Sequence, residues 1–402
     1  MLNLEIPGKY RGLTAQARQV AREVFRPISR KYDRAEHSYP KELDVLSALI
    51  DGMNAGAGGV AGAGALTKKA GDGGAAVRNG ANMATVLSIE ELCWGDVGLL
   101  LSIPRQGLGN AALAAVANEA QLKRFAGRWI AMAITEPGAG SDSAAIRTSA
   151  RRDGDDYLLN GEKIYVTAGE RADALVVWAT LDASAGRAAI KAFLVERSNP
   201  GLKLERLEHK LGIRASDTAA FVLQDCRIPA DNLLGSPEID TQRGFGGVME
   251  TFDNTRPVVA AMAIGLARAA LEECRKQLRG AGIEYQLDQP QATQPAAAVT
   301  LHQLEADWQA ARLLTLKAAW MADNGQPNAL QASMAKAKAG RMVVNTTLSC
   351  LELCGPAAYS EDSLLEKWAR DAKILDIFEG TQQIQLLVVA RRLLGKSSRE
   401  LK

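Results

Sequence analysis

Glu379 is the residue whose type and setting could most directly do chemistry. It lies in Ile377-Phe378-Glu379-Gly380-Thr381-Gln382-Gln383-Ile384-Gln385, at a glycine break followed by a Thr/Gln cluster, shortly after Asp371-Ala372-Lys373-Ile374 in an apolar, helix-forming tail. A carboxylate among apolar neighbours loses solvation, which raises its pKa toward the range useful to a general base. Taken alone, such a glutamate is more often a solvated helix-surface residue. A second segment far upstream changes the reading: Ile134-Thr135-Glu136-Pro137-Gly138-Ala139-Gly140-Ser141-Asp142, a tight Gly/Pro loop with hydroxyls at both ends. Small residues there let backbone N–H groups approach a ligand closely, as loops that hold phosphates or the edges of flavin rings require. Alone, Gly-Ala-Gly-Ser is a weak signal and reads more readily as a plain surface turn.

Three further segments lie between these two. They are Leu159-Asn160-Gly161-Glu162-Lys163-Ile164-Tyr165-Val166-Thr167, Lys210-Leu211-Gly212-Ile213-Arg214-Ala215-Ser216-Asp217-Thr218 and Phe252-Asp253-Asn254-Thr255-Arg256-Pro257. With all five in this order, the chain resembles the acyl-CoA dehydrogenase flavoprotein family over about its whole length, densely from Ile134 onward. The resemblance implies FAD-dependent α,β-dehydrogenation of an acyl-CoA thioester to the trans-2-enoyl-CoA. An electron-transferring flavoprotein would take up the electrons. Glu379 matches the base that removes the α-proton while hydride passes to flavin N5, and its backbone N–H, with a flavin ribityl hydroxyl, would receive the thioester oxygen. By the same resemblance Thr135 and Thr167 hydrogen-bond the flavin ring, and Ser141 faces the cofactor phosphates or the CoA entrance. Tyr165 stands where relatives often carry Trp near the flavin, and Thr381 and Gln383 contact the cofactor just after the base. Asp253 and Arg256 match positions near the CoA moiety, where Arg suits phosphate contacts; read without the motif, they could form a helix-surface ion pair. Gly380 is carried over as a substrate contact.

Two departures from the family pattern bear on assembly. Homotetrameric relatives carry Arg-x-x-Phe-Gly after the first bundle helix, with an Arg that reaches a neighbour's FAD pyrophosphate; here the region reads Arg279-Gly280-Ala281-Gly282-Ile283-Glu284-Tyr285-Gln286-Leu287-Asp288-Gln289-Pro290. Where relatives carry Gln-x-x-Gly-Gly-x-Gly, this chain has Glu352-Leu353-Cys354-Gly355-Pro356-Ala357-Ala358. A Glu repels a pyrophosphate, and Pro removes both a backbone donor and the freedom of a Gly. The expectation is a catalytic subunit that keeps its own half of the FAD site and pairs with a homologous chain in an α2β2 heterotetramer, as in actinobacterial enzymes, several of which act on sterol side-chain thioesters. A non-catalytic structural subunit and a flavin oxidase using O2 are the alternatives.

The elements that must position these residues follow a helix, sheet, helix order. Leu13 to Ala48 and Met83 to Ala126 carry apolar residues at helical spacing. Tyr157–Val166, Ala174–Thr180, Ile190–Val195, Leu202–Leu207 and Ala219–Arg227 read as strands of an antiparallel sheet or barrel, split by Asn-Gly, Asn-Pro-Gly and Ile-Pro turns. Long helices return at Val258–Arg279, Leu301–Asp323 and Ala329–Leu353. The expected fold is mainly α with a central β-domain, as in acyl-CoA dehydrogenases: an N-terminal helical domain (1–130), a β-domain facing flavin and substrate (131–240), and a C-terminal four-helix bundle with the base and the oligomer interface (241–402). At 402 residues and 47% apolar content the chain has material for two or three domains. The net charge of +2 favours neither nucleic acid nor a membrane surface. No apolar run reaches the roughly 18 residues of a membrane span. Five scattered cysteines lack metal-ligand spacing, so no metal site is expected; their odd number and a start without a signal h-region point to the cytoplasm. In Ala55 to Ala65 ten of eleven residues are Gly or Ala; such a run either widens the mouth for the acyl chain or is a loop without consequence.

Overall fold

The computed structural model describes residues 6–47, 80–105, 108–239, 246–397 and 400, with only the backbone path for 246–254. The Gly/Ala run at Ala55 to Ala65 lies outside the described residues. Helix α1 (Gly8–Val20) continues through a π-turn (Ala21–Phe25) into α2 (Arg26–Arg34). The helical spacing from Met83 to Ala126 is realised as four helices: α3 (Ala81–Gly95), α4 (Val97–Leu100), α5 (Leu108–Val116) and α6 (Glu119–Arg124). The first break has a physical cause, since Asp96 is extended (φ −168°) and its side chain accepts the Leu99 N–H, ending one helix and capping the next. Asn118 and Gln121 form a reciprocal capping box that starts α6.

The middle of the chain is one eight-stranded sheet. Its strands are β1 (Ile130–Ala133), β2 (Ser149–Asp153), β3 (Asp156–Thr167), β4 (Ala174–Thr180), β5 (Ile190–Glu196), β6 (Leu202–Leu207), β7 (Thr218–Pro229) and β8 (Leu233–Leu234). The order is β6-β7-β3-β2-β4-β5-β8, with β1 beside β4. All five expected strands are present. The addition to the antiparallel expectation is that β1 and β2 each pair with β4 in parallel, making the sheet mixed. Every residue of β4 is buried, as a strand covered on both faces requires. On one face Leu175, Val177, Phe193, Phe221 and Leu223 form a core; on the other, Val176, Trp178 and Leu194 pack under Leu113 of α5 and Phe125.

The C-terminal helices are α7 (Gly246–Gly280), α8 (Ala296–Asp323), α9 (Ala329–Cys354), α10 (Leu365–Ala372) and α11 (Gln382–Leu394). They share one core with the N-terminal helices, in which Phe25, Leu43, Cys93 and Leu99 meet Ile264, Leu271, Val343, Leu365 and Trp368. Close approach of α3 and α7 needs Gly265, where a Cβ would lie 2.2 Å from the Glu90 carbonyl oxygen. Charge locks the same contact: Glu91 accepts from Arg268 (2.7 Å) and Arg18 (2.9 Å), and Glu90 from Arg312 (3.0 Å). Burial pushes the Glu91 carboxyl up, but the two guanidinium groups more than offset it and hold it below the usual range.

Lys367 of α10 is fully buried between two carboxylates, Asp96 at 2.7 Å and Asp371 at 2.5 Å. Removing one member of such a cluster leaves uncompensated buried charge. Lys367→Met is therefore expected to lower unfolding stability by about 3–5 kcal/mol in urea titrations; a loss below about 1 kcal/mol, the range of exposed pairs, would contradict this role.

Candidate active site

A short 3-10 turn (Lys373–Asp376) follows α10, and the chain then doubles back into α11 through Glu379 and Gly380, both left-handed (φ +56° and +90°). A non-glycine residue in that region costs roughly 1–2 kcal/mol, so the turn must be held by its neighbours. Gln385, fully buried, donates from Nε2 to the carbonyls of Glu379 (3.0 Å) and Gly380 (3.2 Å). Lys336 of α9 donates from Nζ to the Gly380 carbonyl at 2.7 Å. A Cβ on residue 380 would stand 2.3 Å from Gln385 Nε2, so both dihedral and space demand glycine. Thr381 is the N-cap of α11, accepting the Ile384 N–H. The backbone N–H groups of Glu379 and Gly380 donate to nothing among the described residues.

The turn aims the Glu379 carboxyl at α7, where Thr255, itself buried, donates its hydroxyl to Oε2 at 2.7 Å. Burial pushes the Glu379 carboxyl above the usual range, opposed by the Thr255 hydrogen bond and by the cations Arg256 and Lys336. Burial also pushes the Lys336 ammonium down to about 8, partly countered by Asp376 and Glu379. Arg256 is 4% exposed and reaches Ser333 at 3.5 Å, so the structure puts it on the base side of the turn. Pro257 inside α7 cannot donate to the Asp253 carbonyl, which marks the same stretch as irregular. The side chain of Asp253 lies outside the described residues. Thr255, Lys336 and Gln385 were not among the residues singled out from sequence; Thr255 and Gln385 lay inside quoted segments, and Lys336 carried no signal.

The upstream loop forms a second half of the site. Glu136 and Ala139 exchange two backbone hydrogen bonds at 3.1 Å around Pro137-Gly138, and Gly138 has open space on its Cα. Beneath the loop Lys163, 0% exposed, meets Glu136 at 2.7 Å and the Ile134 carbonyl at 3.1 Å. Glu136 also accepts the Thr148 N–H (2.9 Å) and hydroxyl (2.5 Å) and the Arg147 N–H (2.6 Å). Burial opposes ionisation of Glu136, yet Lys163 and these donors hold the carboxyl below the usual range, while burial pushes Lys163 down to about 8. The Ile164 N–H donates to the Thr135 carbonyl at 2.9 Å, which sets Thr135 against β3. At the adjoining bulge Tyr165 is left-handed (φ +57°) and 62% exposed, an aromatic face held open to solvent. Thr167, half-buried, pairs with Thr218 across the strands. The hydroxyls of Thr135, Thr167 and exposed Ser141 make no hydrogen bond among the described residues. The backbone of Thr135 is thus held beside the end of β3 that carries Tyr165 and Thr167, and hydroxyl groups with an aromatic side chain are of the kind that suits the polar edge of a planar ring system. Gln383 is exposed on α11, in the turn that follows Glu379.

Thr255 stabilises the charged form of Glu379, and a hydrogen bond to a charged group is worth about 1.5–3 kcal/mol. Thr255→Val should therefore raise the Glu379 midpoint by about 1–2 pH units, read from the infrared carboxyl band with Glu379→Gln as the blank. A midpoint that stays put or falls would contradict the assignment.

Residues 131–226 match the acyl-CoA dehydrogenase middle domain, and residues 242–394 match the acyl-CoA dehydrogenase C-terminal domain. The chain is 38% identical to the mitochondrial short-chain specific acyl-CoA dehydrogenase of Rattus norvegicus over 262 residues, 65% of this chain and 62% of that enzyme, so the alignment spans under two thirds of that relative's length. It is 34% identical to cyclohexane-1-carbonyl-CoA dehydrogenase of Syntrophus aciditrophicus over 326 residues, 79% of this chain and 83% of that protein. Among solved structures, butyryl-CoA dehydrogenase from Megasphaera elsdenii shares the fold with a TM-score of 0.81 and 29% identity, covering 98% of this chain and all of that one. Two domain matches in the expected order, a relative aligned over most of its length and the same fold end to end make this chain a member of the acyl-CoA dehydrogenase family.

Proposed function

We propose that this chain catalyses α,β-dehydrogenation of an acyl-CoA thioester with Glu379 as the base. The observation that carries the reading is the left-handed turn at Glu379 and Gly380. It presents a carboxyl with a raised pKa and two uncommitted backbone N–H groups from one place. Removing the proton α to a thioester builds negative charge on the carbonyl oxygen. Backbone donors fixed beforehand stabilise that charge without reorganisation. Glu379 takes the C2 proton, and the hydride on C3 must leave for an acceptor. FAD, when bound, supplies that acceptor. Thr135 and Thr167 would hold its ring edge, Tyr165 would wall one side, and Ser141 would meet the phosphates or the CoA entrance. Lys336 and Arg256 keep the charged form of Glu379 accessible despite burial, and Gln385 locks the turn so that base and donors arrive together.

The relatives' names, for short-chain acyl and cyclohexane-1-carbonyl thioesters, support an acyl-CoA as substrate class; an electron-transferring flavoprotein as onward acceptor is proposed from the family resemblance. Positioned bases contribute roughly 10^2–10^4-fold. Glu379→Gln in flavin-loaded protein should lose at least that much kcat against a short-chain acyl-CoA with a dye acceptor. Retention of most of the rate would remove Glu379 from the mechanism.

The finer reading concerns assembly. Glu352 is exposed at the end of α9, and Pro356 is exposed in the 3-10 turn that follows (Gly355–Tyr359). Arg279 is engaged with Glu284 at 2.5 Å. These features support a subunit that completes its cofactor site with a homologous, non-identical chain in an α2β2 tetramer. Purified alone, the chain should carry little FAD; co-purified with a homologue bearing the Arg and Gly-Gly elements it should carry about two per tetramer. A full complement of FAD in the lone chain would show that identical copies suffice.

A further inference from the structure

Two of the chain's three histidines converge on one glutamate, far from Glu379 in sequence. Glu36 and His37 lie just past the end of α2, and His209 lies just past β6, so the three join the N-terminal helices to the sheet. One ligand atom from each lies within 4.8 Å of the others. The framework around them is fixed by other bonds. Glu36 accepts the Lys210 N–H through its other oxygen at 2.8 Å, and Arg171 donates to the carbonyls of His37 (3.4 Å) and Ser38 (3.0 Å) while pairing with Asp217 at 3.3 Å.

A plain hydrogen bond between Glu36 Oε2 and His209 Nδ1, 3.0 Å apart, accounts for two of the three groups. It leaves His37 unexplained. Both ring nitrogens of His37 are buried without a hydrogen-bond partner among the described residues, and the residue is left-handed at φ +69°. An unpaired buried polar atom is costly, and so is a left-handed backbone at a residue other than glycine. The ring stands edge to face against that of His209, with centroids 5.1 Å apart, and it offers a ligand atom within 4.8 Å of those of Glu36 and His209.

We propose that Glu36, His37 and His209 form a binding site for a borderline divalent transition-metal ion of the Zn2+ class. Imidazole and carboxylate together suit Zn2+, Ni2+ or Co2+ rather than Mg2+ or Ca2+. At such a site the three ligand atoms would bond the ion at about 2.0–2.2 Å. Exposed His209 leaves a position open to water. An ion here clasps the turn after α2 to the loop that runs on to Ile213, whose N–H is caught by Asp371 at 2.5 Å.

The test uses the full chain, stripped with EDTA, dialysed and titrated calorimetrically with ZnCl2, with melting curves in parallel. The expected result is one Zn2+ per chain and a raised melting temperature, with affinity weakened by on the order of tenfold or more in His209→Ala and in His37→Asn. Asn tolerates the left-handed backbone, and His209 is exposed, so both variants should melt near wild type without metal. His302→Ala, which removes the histidine stacked on Tyr285, should bind as wild type does. No saturable binding, or binding unchanged in His209→Ala, would overturn the proposal.

Discussion

One buried ammonium anchors the helix that leads into the base. Lys367 of α10 lies between Asp96, from the break between α3 and α4, and Asp371, one turn further along its own helix. Each carboxylate also holds a second element. Asp96 caps α4 through the Leu99 N–H and accepts from Ser29 of α2, and Asp371 takes the Ile213 N–H from the loop after β6. One cluster therefore ties the N-terminal helices, the sheet's loop and the C-terminal bundle together just before the chain reaches Glu379. Two carboxylates against one cation would be costly without those extra donors. Burial raises the Asp371 carboxyl, and the paired carboxylates more than offset burial at Lys367, holding its ammonium above the ordinary range.

The base shows the opposite balance. At Glu379 desolvation exceeds the help from Thr255, Arg256 and Lys336, so the carboxyl stays easier to protonate than a surface glutamate. At Glu136 the same kind of contest ends the other way, because Lys163 and three hydrogen bonds outweigh burial. One carboxylate is thus suited to exchanging a proton and the other to holding a loop in place. Environment, not residue type, separates the two roles.

Much of this could be read from the chain. The β-branched or alternating runs at 157–166, 174–180, 190–195, 202–207 and 219–227 are strands: alternation marks those with one exposed face, and a short continuous apolar run marks 174–180, which is buried on both. The strands that went unread are Ile130–Ala133 and Leu233–Leu234, too short to alternate visibly, and Ser149–Asp153, which is mostly polar. Their pairing, some of it parallel, is set by partners far away in sequence. Glu379 stood out because Gly380 marks a turn, whereas Lys336 and the Glu36–His37–His209 cluster are made by tertiary contact alone; Gln385 sits in the same quoted run, but its role in locking the turn shows only once the chain folds back on itself. The helix breaks at Ala21–Phe25 and Asp96 were likewise hidden, since apolar spacing runs through both.

The central claim is that Glu379 removes a proton from the α-carbon of a bound acyl-CoA. An acyl-CoA with sulfur in place of its β-carbon cannot surrender a β-hydride, so it isolates that step. Deuterium uptake at C2 of such a thioester, followed by mass spectrometry in D2O with flavin-loaded protein, should be rapid in wild type and fall to background in Glu379→Gln. Uptake at the wild-type rate in Glu379→Gln would contradict the account, because the proton would then be leaving to another group.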